Sequence, residues 1–257
     1  MRLRLTLLIT VLAGAAGAHA ATTAELERVQ QRIQAAAAPW CERLSARDAE
    51  GRKRCTIQVA VADVKGLANA LSAFGGTWVT AEMLPHLSED DLALVIGHEF
   101  AHLVLGHSLQ RLQDADPTDP ARRALLTWME QTTVPPHDKA PADPTQHEFD
   151  ADELGLYFAG LAGYSVPAMA SFWAERAASI PASTLSLVGA KTHPSRTARA
   201  AALERVAAQF CKRVSEHQPL MPAAIHLQPH HEMAVDELVD YQRKLVPGTI
   251  CLPPGKA

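Results

Sequence analysis

The segment that most constrains this chain is His98-Glu99-Phe100-Ala101-His102, which places three polar, chemically reactive side chains inside an apolar helical pattern. At about 100° per residue, positions four apart fall on nearly the same helix face, so both imidazoles can reach one cation while Glu99 points beside it. An HExxH helix holds zinc next to a carboxylate that can act as a base, which is the chemistry of a hydrolase. Upstream, Ser88 precedes Asp91 by three residues, the spacing of an N-cap with a reciprocal acidic partner. Leu92, Val95, Ile96, Phe100, Leu103 and Val104 follow with mixed helical spacing. The pattern predicts a largely buried helix, in which a bound metal charge would act strongly on its water.

A catalytic zinc needs a third protein ligand and an open position for water. His107 is close in sequence, but five residues beyond His102 lies about 140° around the helix, and the HExxHxxGxxH register would require histidine at Ser108. His107 is therefore excluded as a ligand and is expected near the helix C-terminus, where the helix dipole favours a partly charged imidazole. Glu148 is the better candidate. It shares a helix face with Asp152, four residues on, while His147 and Asp150 point elsewhere. Metal-bound imidazoles usually donate their other N–H to a carboxylate, so Asp152 is suited to hold His98 or His102.

These residues resemble the M48 zinc metallopeptidases, whose pattern is HExxH followed downstream by a glutamate in an ExxAD run. The resemblance rests on Gly97 to His102 and on Glu148-Phe149-Asp150-Ala151-Asp152-Glu153-Leu154-Gly155. Asn69 with Gly75-Gly76 upstream, and Thr192-His193-Pro194-Ser195 with Arg199 downstream, also fit. The likeness covers about Asn69 to Arg199 and is weak or absent at both ends. It implies a gluzincin-like protease fold with one zinc on His98, His102 and Glu148. Glu99 would be the catalytic base, and Asp152 a supporting carboxylate or proton donor. Several relatives are exported and act in envelope quality control. No TPR module of the larger periplasmic members and no spanning helices of the membrane-embedded members are found, so their adaptor-like functions do not carry over.

On this reading a zinc-polarised water loses its proton to Glu99 and attacks a peptide carbonyl. His193 or Arg199 would reach into the cleft to stabilise the oxyanion. His193 has a second reading, as a loop histidine that occupies the open zinc position and keeps the enzyme latent. An extended or misfolded polypeptide is expected to add in β fashion along Gly76, Thr77, Trp78 and Val79, whose backbone reads no particular sequence. The alternative from another class is a zinc-containing chaperone or adaptor that binds unfolded polypeptide without cleaving it. A base at Glu99 argues against that alternative.

The N-terminus fits this destination. Basic Met1 to Arg4, apolar Leu5 to Ala16 and Ala18-His19-Ala20 together read as a signal peptide cut after Ala20. The expected product is a periplasmic, or alternatively secreted, single domain over 21–257. The competing reading, a retained membrane anchor, meets an apolar run short for a ~20-residue span. Losing Arg2 and Arg4 would take the net charge from −4 to −6, with the remaining Lys and Arg interleaved with acids, which disfavours a nucleic-acid partner. Beyond the signal, His98, Glu99, His102 and His107 punctuate the best apolar stretch, so no stable membrane insertion is expected. Cys41, Cys55, Cys211 and Cys251 form no close zinc pair and suggest two disulfides. Pairing by proximity gives Cys41–Cys55 and Cys211–Cys251, one of the three pairings that four cysteines allow.

Helical periodicity predicts helices over 24–45 (with Pro39 as an interruption), 147–162, 166–178, 195–214 and 233–245. Alternation predicts a strand over 56–61, and Phe74 to Thr80 a second one at the sheet edge beside the metal. The fold class is therefore α+β, mostly helical, a zincin-like domain with a small sheet beside the HExxH helix. The Pro-rich stretch 110–146, with a short helix capped by Asp119, is either a lid or a plain surface excursion. His226, His230 and His231 are assigned to solvent because Pro229 opposes a chelating helix. The tail 246–257 reads as irregular, and no fixed-period repeat is present.

Overall fold

A computed structural model describes residues 22–44, 58–73, 76–105, 107, 144–181, 194–218, 220, 222 and 250–252 of the chain. Within these the architecture is α+β and mostly helical, as the periodicities predict. Helix α1 (Thr23–Leu44) leads to β1 (Gln58–Ala62), β2 (Ala70–Ala73) and β3 (Gly76–Thr80), then α2 (Glu89–Val104). Beyond the Pro-rich stretch come α3 (Pro144–Leu161), the short α4 (Val166–Ala170) and α5 (Arg196–Ser215). The predicted helix over 233–245, the helix at Asp119 and His193 lie outside the described residues.

Helix α2 is the centre of the molecule. Every residue from Asp91 to His102 is buried, so the helix is enclosed on all sides rather than laid on a surface. Fully burying side chains such as Leu92, Ile96 and Phe100 contributes about 1.5–3 kcal/mol each. Its start is the predicted capping box: the Ser88 side chain accepts from the Asp91 N–H, and the Asp91 carboxylate accepts from the Ser88 N–H. Asp91 is itself fully buried and is neutralised by Arg176, whose Nε lies 2.8 and 2.9 Å from its two carboxylate oxygens. Helix α1 continues through Pro39 and covers α2 with Leu26, Val29, Ile33, Ala36 and Ala37, an apolar stripe at helical spacing.

The sheet order is β1-β3-β2, with β1 parallel and β2 antiparallel to β3. The Gly76 to Thr80 strand, expected at the edge, is thus the central strand and has both hydrogen-bonding sides occupied. Its former place at the edge belongs to β2, Ala70-Leu71-Ser72-Ala73, which carries no β-branched or aromatic residue and so gives no strand signal in the sequence. The Ser72 hydroxyl donates to the Glu99 carbonyl at 2.9 Å, pinning this edge strand directly to the HExxH helix.

The segment predicted as one helix over 166–178 is broken. α4 ends at Ala170, a single π turn follows over Phe172–Arg176, and a 3₁₀ turn over Ala177–Ser179. Tertiary contacts override local periodicity here, because the turn delivers Arg176 to Asp91 and Trp173 to Arg199. The predicted Cys211–Cys251 disulfide is present, and the Val166 N–H donates to the Ile250 carbonyl, so residues 250–252 are bound to both α5 and α4. Cys55 lies outside the described residues.

Helices α2 and α3 cross at two glycines. A Cβ added to Gly97 would lie 2.6 Å from the Gly155 carbonyl oxygen, and one added to Gly155 would lie 2.5 Å from the His98 nitrogen. Both obstacles are backbone, which cannot rotate out of the way. Gly155→Ala is expected to cost about 2–4 kcal/mol, the upper range for overpacking. That corresponds to a fall of roughly 5–15 °C in Tm for a chain of this size. A thermal unfolding midpoint within about 2 °C of the parent would show that the helices are not held by this contact.

Candidate metal centre

The glycine crossing sets α3 against the second half of α2 and brings Glu148 to His98 and His102. Their ligand atoms lie within 4.8 Å of one another, and all three residues are buried. The His98 and His102 Nε2 atoms are 3.0 Å apart, His98 Nε2 is 3.4 Å from Glu148 Oε2, and His102 Nε2 is 3.5 Å from Glu148 Oε1. A tetrahedral zinc with bonds near 2.0–2.1 Å separates its ligand atoms by about 3.3 Å, so the donor set fits this ion in type, number and spacing. Glu148 is fully buried, and a carboxylate in that position requires nearby positive charge.

Behind His98 stands a carboxylate–guanidinium pair. The His98 Nδ1–H donates to Asp152 Oδ1 at 3.0 Å, so of the two histidines offered by the sequence, His98 is the one Asp152 holds. Arg199 donates to both Asp152 oxygens, Nε to Oδ2 at 2.7 Å and Nη2 to Oδ1 at 2.6 Å. Its guanidinium also stacks on the Trp173 ring at 3.7 Å and lies 3.7 Å from Glu148. Arg199 was expected in the cleft as a partner for substrate. Instead it is buried, with only 6 % of its surface exposed, and is committed to Asp152. The sequence could not show this, because α5 reaches the site across the irregular turn at Phe172–Arg176.

Burial alone would raise the Asp152 pKa, but the Arg199 charge and hydrogen bonds, with help from His98, hold it below the ordinary carboxylate value. Asp152 therefore stays ionised and is an acceptor for His98 rather than a proton donor. Burial alone would lower the His98 pKa. The hydrogen bonds that its ring donates to Asp152 and Glu148 outweigh it and raise the pKa to about 9.

His102 has a different second partner. Its Nδ1 lies 2.9 Å from Nδ1 of His107, which is buried just past the end of α2. The His107 ring stacks on His147 with centroids 4.1 Å apart and planes 11° from parallel. His147, expected to point away from the site, is thus part of its rear wall; the chain leaves the helix after Leu105 and folds His107 back, which helical-wheel reasoning cannot anticipate.

Glu99, 9 % exposed, sits one residue along α2 from His98. On the adjoining sheet Thr77 and Val79 are fully buried, and the Thr77 hydroxyl is 2.9 Å from that of Ser72. Gly76 packs under the Trp78 ring, where a Cβ would come within 3.0 Å of it. None of these four residues offers a free strand edge.

Two imidazoles from an HExxH turn, a glutamate from a second helix and a carboxylate braced behind one imidazole are consistent with a gluzincin-type zinc site, and the fold is zincin-like. Residues 23–117 match the model of peptidase family M48, in agreement with the resemblance of the motifs, and members of that family use zinc. The matched stretch contains His98, Glu99 and His102, while Glu148 lies beyond it and joins them through the fold. No curated protein matches the chain.

Two outcomes follow from this geometry. Zinc takes neutral imidazole, and His98 without metal is protonated below about 9. Zinc binding near pH 7.5 should therefore release a proton from His98, and this release should fade as pH rises through 9. Calorimetry in buffers of different ionisation enthalpy measures it, and a release independent of pH across that range would contradict the bonding of His98. Arg199→Met should leave Asp152 and Glu148 buried without their cation, lowering stability by about 3–5 kcal/mol and weakening zinc retention. A loss of turnover at unchanged Tm and zinc content would return Arg199 to the cleft.

Proposed function

We propose that this protein is a zinc-dependent endopeptidase that cleaves extended or misfolded polypeptides of the cell envelope. The observation that carries the proposal is the convergence of His98, His102 and Glu148 beside Glu99. Zinc, when bound there, supplies the Lewis acidity that makes water a nucleophile near neutral pH and polarises the scissile carbonyl. Glu99 accepts the proton of the attacking water and passes it to the leaving amine. Asp152, with Arg199 behind it, fixes the ring of His98. The enclosure of α2 by apolar side chains excludes bulk water from these transfers.

The substrate strand is reassigned from β3 to β2. β3 is paired on both sides, whereas β2 is bonded to β3 on one side and tied to Glu99 through Ser72. A polypeptide extended along the outer side of Ala70–Ala73, where no other strand of the described residues pairs, would present its backbone to the HExxH turn. Main-chain hydrogen bonds to a strand edge read shape rather than sequence, which supports broad specificity. An envelope location is supported by the basic-then-apolar N-terminus and by the Cys211–Cys251 disulfide, which suits an oxidising compartment.

Incubation of the zinc-loaded protein with an unfolded polypeptide should yield fragments, read by mass spectrometry. Glu99→Gln should retain zinc and lower cleavage by about 10²–10⁴-fold, the usual contribution of a general base. Binding of the polypeptide by both proteins, with fragments from neither, would replace the protease reading with that of a chaperone.

A further inference from the structure

The mechanism above uses one imidazole's rear contact, that of His98, and leaves the other unexplained. His102 Nδ1 faces His107 Nδ1 at 2.9 Å, and two imidazole nitrogens at that distance form a hydrogen bond only when one donates and the other accepts. His102 turns its Nε2 toward Glu148, so its remaining proton lies on Nδ1 and His107 Nδ1 is the acceptor. The acceptor's own proton is then on Nε2. His107 is helical, beyond the turn that ends α2, and its ring is buried and stacked face to face on His147. His147 immediately precedes Glu148 on α3. The stack therefore joins the segment leaving α2 to the helix that carries the third ligand, behind His102.

We infer that His107, seated on His147, is the positioning residue for the metal ligand His102, doing with a neutral ring what Asp152 does for His98 with a carboxylate. This rests on the reading that His98, His102 and Glu148 hold zinc. The two ligands are then supported unequally: an ionised acceptor raises the basicity of His98, whereas an uncharged one fixes the ring of His102 and adds less electron density. His102 is the ligand whose hold on the metal depends on orientation.

Zinc affinity, measured by competition with a chromogenic chelator on the full chain, tests the inference without reference to turnover. His107→Phe keeps an aromatic ring on His147 but has no acceptor, and should weaken zinc binding by about 10–100-fold, the usual effect of losing such a partner. His107→Gln, whose side-chain carbonyl can accept the same proton, should stay within about threefold of the parent. Zinc affinity of His107→Phe equal to that of the parent overturns the inference, as does a Gln variant no better than Phe. Should the Phe variant fail to fold, long-range ¹H–¹⁵N spectra of the zinc-loaded parent decide: His102 protonated at Nδ1 and His107 at Nε2 support the assignment, and His107 protonated at Nδ1 overturns it. A parent that takes up no stoichiometric zinc overturns the metal reading itself, whereas a parent that does, with an unaffected Phe variant, overturns this inference alone.

Discussion

The site depends on how closely two helix backbones approach. Ligands delivered by separate helices must end within about 3.3 Å of one another, while ordinary helix pairs are held 8–10 Å apart by the side chains between them. Gly97 and Gly155 remove that spacer where α2 meets α3, so backbone touches backbone one residue before His98. Glu148 and Asp152, on the turns of α3 that precede Gly155, are thereby carried to the two histidines. The capping box at Ser88, the apolar stripe of α1 and the hydroxyl link from Ser72 all act on α2 and hold its other sides while this approach is made.

Once the helices are that close, charge must be arranged in depth. Glu148 and Asp152 are both buried carboxylates, and neither would stay ionised without compensation. Arg199 faces both, and Trp173 closes the far side of its guanidinium. The resulting order of guanidinium, carboxylate, imidazole and ligand carboxylate alternates in its demand for protons, which lets a cation enter without leaving an uncompensated charge behind. On the opposite flank the groups behind His102 are rings. The two sides of the centre thus differ in polarity as well as in sequence origin.

The parts of this arrangement with a local signature were legible in the chain. His98, Glu99 and His102 declare themselves by spacing within one turn, Ser88 and Asp91 by the capping interval, and Glu148 with Asp152 by a shared helix face. What escaped depends on chain segments that meet only in three dimensions. Strand β2 is written in alanine, serine and leucine and takes its conformation from its neighbours, so the sequence signal of β3 points to an edge that β2 occupies instead. Arg199 reads as an ordinary helix cation until α5 is laid across α3. His107 lies past the end of α2, so the periodicity of that helix does not say where its side chain goes. The two glycines were visible as part of the motifs, but the contact between them was not.

The irregular turn over Phe172–Arg176 has one more consequence. Within four residues it supplies Arg176 to the buried cap of α2 and Trp173 to the guanidinium behind the metal ligands. Straightening it into a regular helix would improve its own hydrogen bonding, and an engineer seeking heat tolerance would be drawn to do so. The same change would rotate both anchors out of place, so rigidity gained in this one turn would be withdrawn from the chemistry it braces.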